Sequence, residues 1–176
     1  MSDYYDGIAK GYDELHGEEQ LKKLELIGRE IHTDPKLKDF IKPNHILLDV
    51  GCGTGISTGF FKVKEKHGID PSTQLINIAR NNYPYCEFSI GSAEKLKFKD
   101  RLFDVVISLT AIQNFDDIDK GLDEIKRVGK NHFILTFLKK SPKHESILES
   151  IEKRFDVIKK VEEEKDIIYF CKNLHP

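Results

Sequence analysis

The sequence has no tryptophan, one methionine and only three cysteines in 176 residues. Cys52, Cys86 and Cys171 are odd in number and far apart, which excludes a disulfide framework and a cysteine metal set. They also lack the clustering that an iron–sulfur centre for radical chemistry requires. No apolar run is long enough for a membrane span, and the opening MSDYYDGIAK has no signal-peptide core. The expected home is therefore the cytoplasm. A basic excess is missing as well. The charged fraction is 33%, yet 28 Lys and Arg face 30 Asp and Glu, so the formal net charge is -2. At this level nothing points to nucleic acid. There is no internal repeat or low-complexity linker, and the length suits one domain with a sizeable core.

The stretch from Ile46 to Gly59, ILLDVGCGTGISTG, organises the rest. Ile46-Leu47-Leu48 reads as a buried strand, Gly51, Gly53 and Gly55 as a tight turn, and Ile56 onward as the start of a helix. Glycine permits positive φ and lets a ligand lie against the backbone. The dinucleotide fingerprint G-x-G-x-x-G fails, because Ile56 occupies its third position. A phosphate-binding P-loop fails too, since no Lys and Ser/Thr pair follows Gly55. From Ile46 to Phe61 there is no Lys or Arg, and Asp49 stands at the mouth of the turn. A pyrophosphate would meet a repelling carboxylate, whereas a ligand that is cationic there, such as S-adenosylmethionine, would be welcome.

Asp49-Val50-Gly51-Cys52-Gly53-Thr54-Gly55 resembles the D-x-G-x-G-x-G loop of class I S-adenosylmethionine-dependent methyltransferases. The resemblance covers the whole chain. It implies an α/β fold: a doubly wound, mostly parallel seven-stranded sheet with helices on both faces and an antiparallel last strand. The second strand ends at Gly68-Ile69-Asp70. Asp70 lies about twenty residues past the start of the turn, where such folds place the acid that receives two ribose hydroxyls. Its alternative is a helix cap, since Pro71-Ser72 and a helical stripe of Leu75, Ile78 and Ala79 follow. Cys86 to Ile90 is the third strand. After it, GSAEKLKF (91–98) resembles the family's G-D-A-E-x-L-P-F segment, with Ser92 where an Asp takes the adenine amino group. Glu94 is a substitute for that contact or a solvated acid.

The fourth strand, Phe103 to Ser108, leads into Leu109-Thr110-Ala111-Ile112-Gln113-Asn114. This loop is expected to line the transfer site, because ligands sit outside the carboxyl ends of strands. The amino-methylating N/D-P-P-Y/F motif is absent, and the wording resembles the quinone-type and other small-molecule enzymes. Ile118, Leu122, Ile125 and Val128 mark a helix, and a Gly129-Lys130-Asn131 turn should precede a fifth strand from His132 to Leu138. Ser141-Pro142 reads as the start of a helix with Ile147, Leu148, Ile151 and Phe155 buried. Phe155 to Val161 and Asp166 to Cys171 read as a closing hairpin.

The N-terminal segment carries Tyr4, Tyr5, Ile8 and Tyr12 on one face, then Leu21, Leu24, Ile27 and Ile31 on another, with Gly17 as a break. Lys36 to Ile41 is a short helical stretch between Pro35 and Pro43. Tyr-Asp-x-x-Ala-x-x-Tyr-Asp from Tyr5 to Asp13 resembles the segment that closes over small-molecule methyltransferase sites. Lid and plain packing are the two readings, with residues 1–42 as lid or cap and 43–176 as core of one domain.

The expected cofactor is S-adenosylmethionine, held by Tyr12, Asp49, Gly51, Cys52, Gly53, Gly55, Asp70, Pro71, Ser92, Ala93, Glu94 and Leu109. Tyr12 is assigned to the methionine carboxylate, since a phenol donates without adding charge. No catalytic dyad or triad stands out, and Gln113 and Asn114 are the candidate acceptor ligands. No metal is expected. The acceptor is expected to be a small molecule. The alternatives are a tRNA or protein acceptor on a basic edge of Lys126, Arg127, Lys130, Lys139, Lys140 and Lys143, or a catalytically silent cofactor-binding regulator.

Overall fold

Val105, Val106 and Ile107 follow one another in the fourth strand and turn alternately to the two faces of the sheet, so the whole run is apolar. The computed structural model describes residues 12–174, with side chains from residue 16 onward. The strands are β1 (Ile46–Val50), β2 (Glu65–Asp70), β3 (Glu87–Ile90), β4 (Phe103–Ser108), β5 (Gly129–Leu138), β6 (Phe155–Glu162) and β7 (Asp166–Asn173). They form one sheet in the order β3-β2-β1-β4-β5-β7-β6. From β3 to β5 the pairing is parallel, and β7 runs antiparallel to both its neighbours. The doubly wound sheet with an antiparallel last strand is thus the fold observed.

Helices α1 (Tyr12–Thr33), α2 (Ile56–Phe60), α3 (Thr73–Asn82), α4 (Ile118–Val128) and α5 (His144–Arg154) cover it. On one face Leu48, Val106, Phe133 and Leu135 cluster with Leu122 and Ile125 of α4 and with Ile147 and Ile151 of α5. On the other, Leu47, Val105, Ile107 and Ile134 cluster with Leu24 and Ile27 of α1 and with Leu37 and Phe40. Each fully buried side chain of this kind contributes about 1.5–3 kcal/mol. The strand order reverses between β1 and β4, which opens a crevice at their carboxyl ends.

Several local expectations are corrected. Gly17 does not break a helix: α1 runs straight through it. A glycine inside a helix costs about 1 kcal/mol against alanine, and burial of Leu24 and Ile27 at 0% exposure outweighs that. Leu21 is not on the buried face and stays 46% exposed. Residues 36 to 41 form successive turns rather than a helix, with the Leu37 N–H on the Asp34 carbonyl and the Phe40 N–H on the Leu37 carbonyl. No turn separates α4 from β5: Gly129 ends the helix with φ -87 and ψ 144 and already pairs with Phe103. Its α-carbon lies so close to Phe133 and Val106 that a Cβ would stand 2.4 Å from the Phe133 ring. Ser141 precedes α5 without capping it, and Phe155 opens β6. The tyrosine-rich stretch before Tyr12 lies outside the described residues.

A buried ion pair joins the first described helix to the last described strand. Lys23 on α1 meets Asp166, the first residue of β7, at 2.8 Å, with side-chain exposures of 6% and 1%. The Thr136 hydroxyl on β5 donates to the same carboxylate oxygen at 2.9 Å. Removing one member strands the other charge. Asp166→Ala should therefore lower unfolding free energy by about 3–5 kcal/mol in urea titrations, and pairing Lys23→Met with Asp166→Leu should recover much of it. A single-variant loss no larger than the roughly 1 kcal/mol of an exposed pair would contradict this account.

Candidate functional site

The loop after β1 is held open by backbone geometry. Gly51, Gly53 and Gly55 all have positive φ, at 75, 55 and 87 degrees. Gly51 needs to be glycine for a second reason, since a Cβ would lie 2.5 Å from the Ala111 Cβ. At Gly55 the close neighbours are Phe88 and Tyr83, so this glycine serves the packing of α2 against α3 and β3. The Gly51 and Cys52 N–H groups donate to the Ile69 carbonyl at 2.8 and 3.1 Å, which ties the loop to β2.

Two carboxylates complete the loop. Asp70, at the end of β2, accepts from the Gly53 N–H at 3.0 Å and from the Ser72 N–H at 2.9 Å. The N-cap of α3 is Ser72, not Asp70: its hydroxyl accepts from the Leu75 N–H at 3.2 Å. Asp49 does not stand at the mouth of the turn. It is fully buried beneath it and accepts from the Ser57 and Thr58 hydroxyls at 2.5 and 2.8 Å. Its other oxygen has no partner among the described residues. Burial pushes its pKa up to about 6, against the pull of the two hydroxyls and with a further push from the charge of Asp70.

A cleft lies over this loop, at the carboxyl ends of β1 to β4. Gly51 floors it, Asp70, Pro71 and Leu75 form one wall, and Gly91, Ser92, Ala93 and Glu94 the next. The third wall is the β4 loop, with Leu109, Thr110, Ala111, Asn114, Phe115 and Asp116. Its charged lining consists of Asp70, Glu94 and Asp116, with no Lys or Arg. Glu94 also accepts from the Asp117 N–H at 3.2 Å, the N-cap residue of α4. Of the residues expected to bind, the structure brings Gly51, Asp70, Pro71, Ser92, Ala93, Glu94, Leu109 and Asn114 to the cleft. Asp49, Cys52, Gly53, Gly55 and Gln113 are not among its lining residues. Cys52 is 5% exposed and packs with Ile76 and Phe88, and burial pushes its thiol pKa up. The Tyr12 side chain lies outside the described residues.

Glu124 and Arg127 on α4 anchor the β3 side. Glu124 accepts from the Leu96 N–H at 2.8 Å, and Arg127 donates to the Leu96 and Phe98 carbonyls at 2.9 and 2.8 Å. Arg127 is thereby committed, also to Asp100, and Lys130 is paired with Asp104. The expected basic edge is split: Lys130 sits near the start of β5, while Lys139, Lys140 and Lys143 follow its far end, roughly 30 Å away along the strand.

Thr110, in the loop expected to line the transfer site, carries a backbone strain that the sequence did not announce. It lines the cleft with a φ of 56 degrees, an outlier for a β-branched residue. Its N–H donates to the Thr136 hydroxyl at 2.7 Å, and its own hydroxyl donates to Asp166 and receives Lys23. Its carbonyl accepts from Gln113 Nε2 at 2.8 Å. The partners of its N–H and hydroxyl lie 26 to 87 residues away in sequence, so no local pattern signals the strain.

Among the described residues no group of three or more His, Cys, Asp or Glu is placed to hold a metal. No helix among them is long and apolar enough to cross a membrane.

Residues 48–137 match the model of a family described as a methyltransferase domain. An uncharacterized protein of Methanocaldococcus jannaschii is 33% identical over 139 residues, covering 78% of this chain and 50% of that protein. The demethylmenaquinone methyltransferase of Chlorobaculum tepidum is 40% identical over 87 residues, covering 48% and 36%. The chain thus spans half or less of the length of these relatives. A solved S-adenosylmethionine-dependent methyltransferase of Thermotoga maritima superposes with a TM-score of 0.73 at 18% identity, covering 98% of this chain and all of that one, which shows a shared fold.

Two outcomes follow from the loop. Gly51→Ala forces Ala111 to move and distorts the cleft floor, so ligand affinity measured by calorimetry should fall by at least about tenfold. The second concerns Asp49. Its folded-state pKa is raised, so between 3.8 and about 6 the folded chain holds a proton that the unfolded chain has lost. Stability from this group therefore falls as pH rises through that window. Across it, wild type should lose up to about 3 kcal/mol relative to Asp49→Asn in urea unfolding. A pH-independent gap between the two proteins would refute the assignment.

Proposed function

The chain belongs to the methyltransferase-domain family, the class I S-adenosylmethionine-dependent methyltransferases, and from that premise we propose that it transfers a methyl group from S-adenosylmethionine to a small-molecule acceptor. In this reading residues 1–176 act as one domain, with residues 1–42 capping a core of 43–176. The observation that carries it is the charge of the cleft: three acids and no cation line it. Such a lining suits a ligand with a sulfonium and no phosphate, and it opposes a nucleotide pyrophosphate.

The residues present fit that group. Asp70 lines the cleft at the end of β2, and its carboxylate is an acceptor-only group of the kind that receives ribose hydroxyls. Ser92, Ala93 and Glu94 form the wall for the adenine, and Gly51 and Leu109 the floor and flank. Asp49 acts from beneath, by fixing the first turn of α2. When bound, S-adenosylmethionine supplies an electrophilic methyl group whose departure leaves a neutral thioether. The protein's share is alignment of the acceptor and exclusion of water. A basic side chain is required only for an acceptor that must lose its proton before attack. Gln113 and Asn114, at the carboxyl end of β4, are the acceptor-side residues in this reading.

Calorimetry tests it. The demethylated cofactor should bind, and NAD and ATP should not; equal binding of NAD would refute the reading. Asp70→Ala removes a charged acceptor and should weaken binding by about tenfold or more. Labelled cofactor incubated with a cell extract should place label in the small-molecule fraction. Label found only in RNA or protein would overturn the acceptor class, and binding without transfer would mark a silent regulator.

A further inference from the structure

A second cavity opens beside the cleft, at the far end of β5. It has a volume of about 720 Å³ and shares Asn114 with the first. Gln113 lines it, together with the turn from Leu138 to Lys143 and the hairpin tip Glu164-Lys165. Its charge is opposite to that of the cleft, since Lys139, Lys140, Lys143 and Lys165 face one acid, Glu164. The lysines are not consumed by their neighbours. The Lys143 ammonium donates once, to the Gln113 carbonyl at 3.2 Å, Lys139 stands 4.0 Å from Glu162, and Lys165 pairs with Glu19. Lys140 has no partner among the described residues. An ammonium has three donors, so one partner each leaves capacity. The turn also leads into the N-terminus of α5, eleven residues long, whose N-cap Lys143 supplies no side-chain cap. The His144 N–H is taken by the Ser141 carbonyl and Glu145 stands in the first turn, so the helix end adds only the positive pole of its dipole, partly offset, while the lysines supply the main attraction for an anion.

A separate observation points to a ligand. Gln113 is 8% exposed, and its amide orientation is fixed because Nε2 donates to the Thr110 carbonyl. That leaves Oε1 buried with no partner among the described residues, on a side chain that lines this cavity. A buried acceptor of this kind costs about 1–3 kcal/mol unless a donor reaches it. The missing donor must be an N–H or O–H.

We infer that this cavity is the acceptor subsite, and that it takes a small molecule bearing a carboxylate or phosphate together with an N–H or O–H that Gln113 Oε1 receives. The anionic group lies among Lys139, Lys140 and Lys143, and the nucleophilic end points past Asn114 into the cleft. Assignment of the anion to a methyl acceptor rests on the methyltransferase reading. In the transfer, the bond from the acceptor atom to the methyl carbon forms as the carbon–sulfur bond breaks. Sulfur keeps that electron pair, and the acceptor's proton passes to water. Gln113 is a positioning residue and takes no proton.

The test is an NMR titration of inorganic phosphate and of acetate at constant ionic strength, each with and without the demethylated cofactor. Saturable shifts are expected at the backbone amides of residues 139–146. Lys140→Ala combined with Lys143→Ala should weaken them at least about tenfold, and Lys126→Ala, on α4, should leave them unchanged. Tighter binding of phosphate than of acetate assigns a phosphorylated acceptor, and the reverse a carboxylic acid. Ethanolamine phosphate, which adds an N–H donor, should bind more tightly than inorganic phosphate, and Gln113→Leu should cancel that gain. Absence of saturable shifts, or shifts indifferent to the lysine variants, overturns the inference. If calorimetry finds the demethylated cofactor bound while no anion binds, the inference alone falls. If anions bind and the cofactor does not, the methyltransferase reading falls and takes the acceptor assignment with it.

Discussion

Everything in the cleft depends on two buried carboxylates that hold one loop from opposite sides. Asp70 fixes the loop's middle through the Gly53 N–H and the entry to α3 through the Ser72 N–H. Asp49 fixes its far end through two hydroxyls of α2. Bonds to an ionised acceptor are the strong class of hydrogen bond, and here they clamp three consecutive elements, β1, α2 and β2, to a single turn. The cost is a negative charge in the interior, visible in the raised pKa of Asp49. A loop so held needs no bulky side chains of its own, which leaves Gly51 bare toward the cleft.

Charge divides the region beyond that loop. Acids line the cleft at the ends of β1 to β4, and lysines line the cavity at the end of β5. Asn114 and the 3-10 turn at residues 112–114 form the partition. The chain's net charge of -2 conceals this arrangement entirely, because the two signs cancel in the sum.

Much of the fold was legible, for a physical reason. Parallel strands buried on both faces leave continuous apolar runs, so Phe103 to Ser108 was readable to the residue. The acid-led glycine turn was readable because its conformation admits few residue types. The errors came where tertiary contacts override local chemistry. Gly17 and Gly129 look like punctuation, yet packing carries α1 through the first and pulls the second into β5. Asp49 was misplaced because sequence shows a carboxylate beside a turn but not which side of the turn it takes. The strain at Thr110 was invisible, since it is stabilised by Lys23, Thr136 and Asp166 on three other elements.

The position of β7 governs the order in which the molecule can be made. It is the last strand of the described chain, yet it lies inside the sheet, between β5 and β6. Until residues 166–173 have been synthesised, β5 keeps an open edge, β6 has no strand to join, and Lys23 has no carboxylate to meet. The helix that covers one face of the sheet, the strained residue at the cleft and the final segment therefore lock together in one late event. A nascent chain stopped short of Asp166 has the glycine loop after β1 but lacks the carboxylate that receives Thr110 and Lys23, so that wall of the cleft takes shape after its floor.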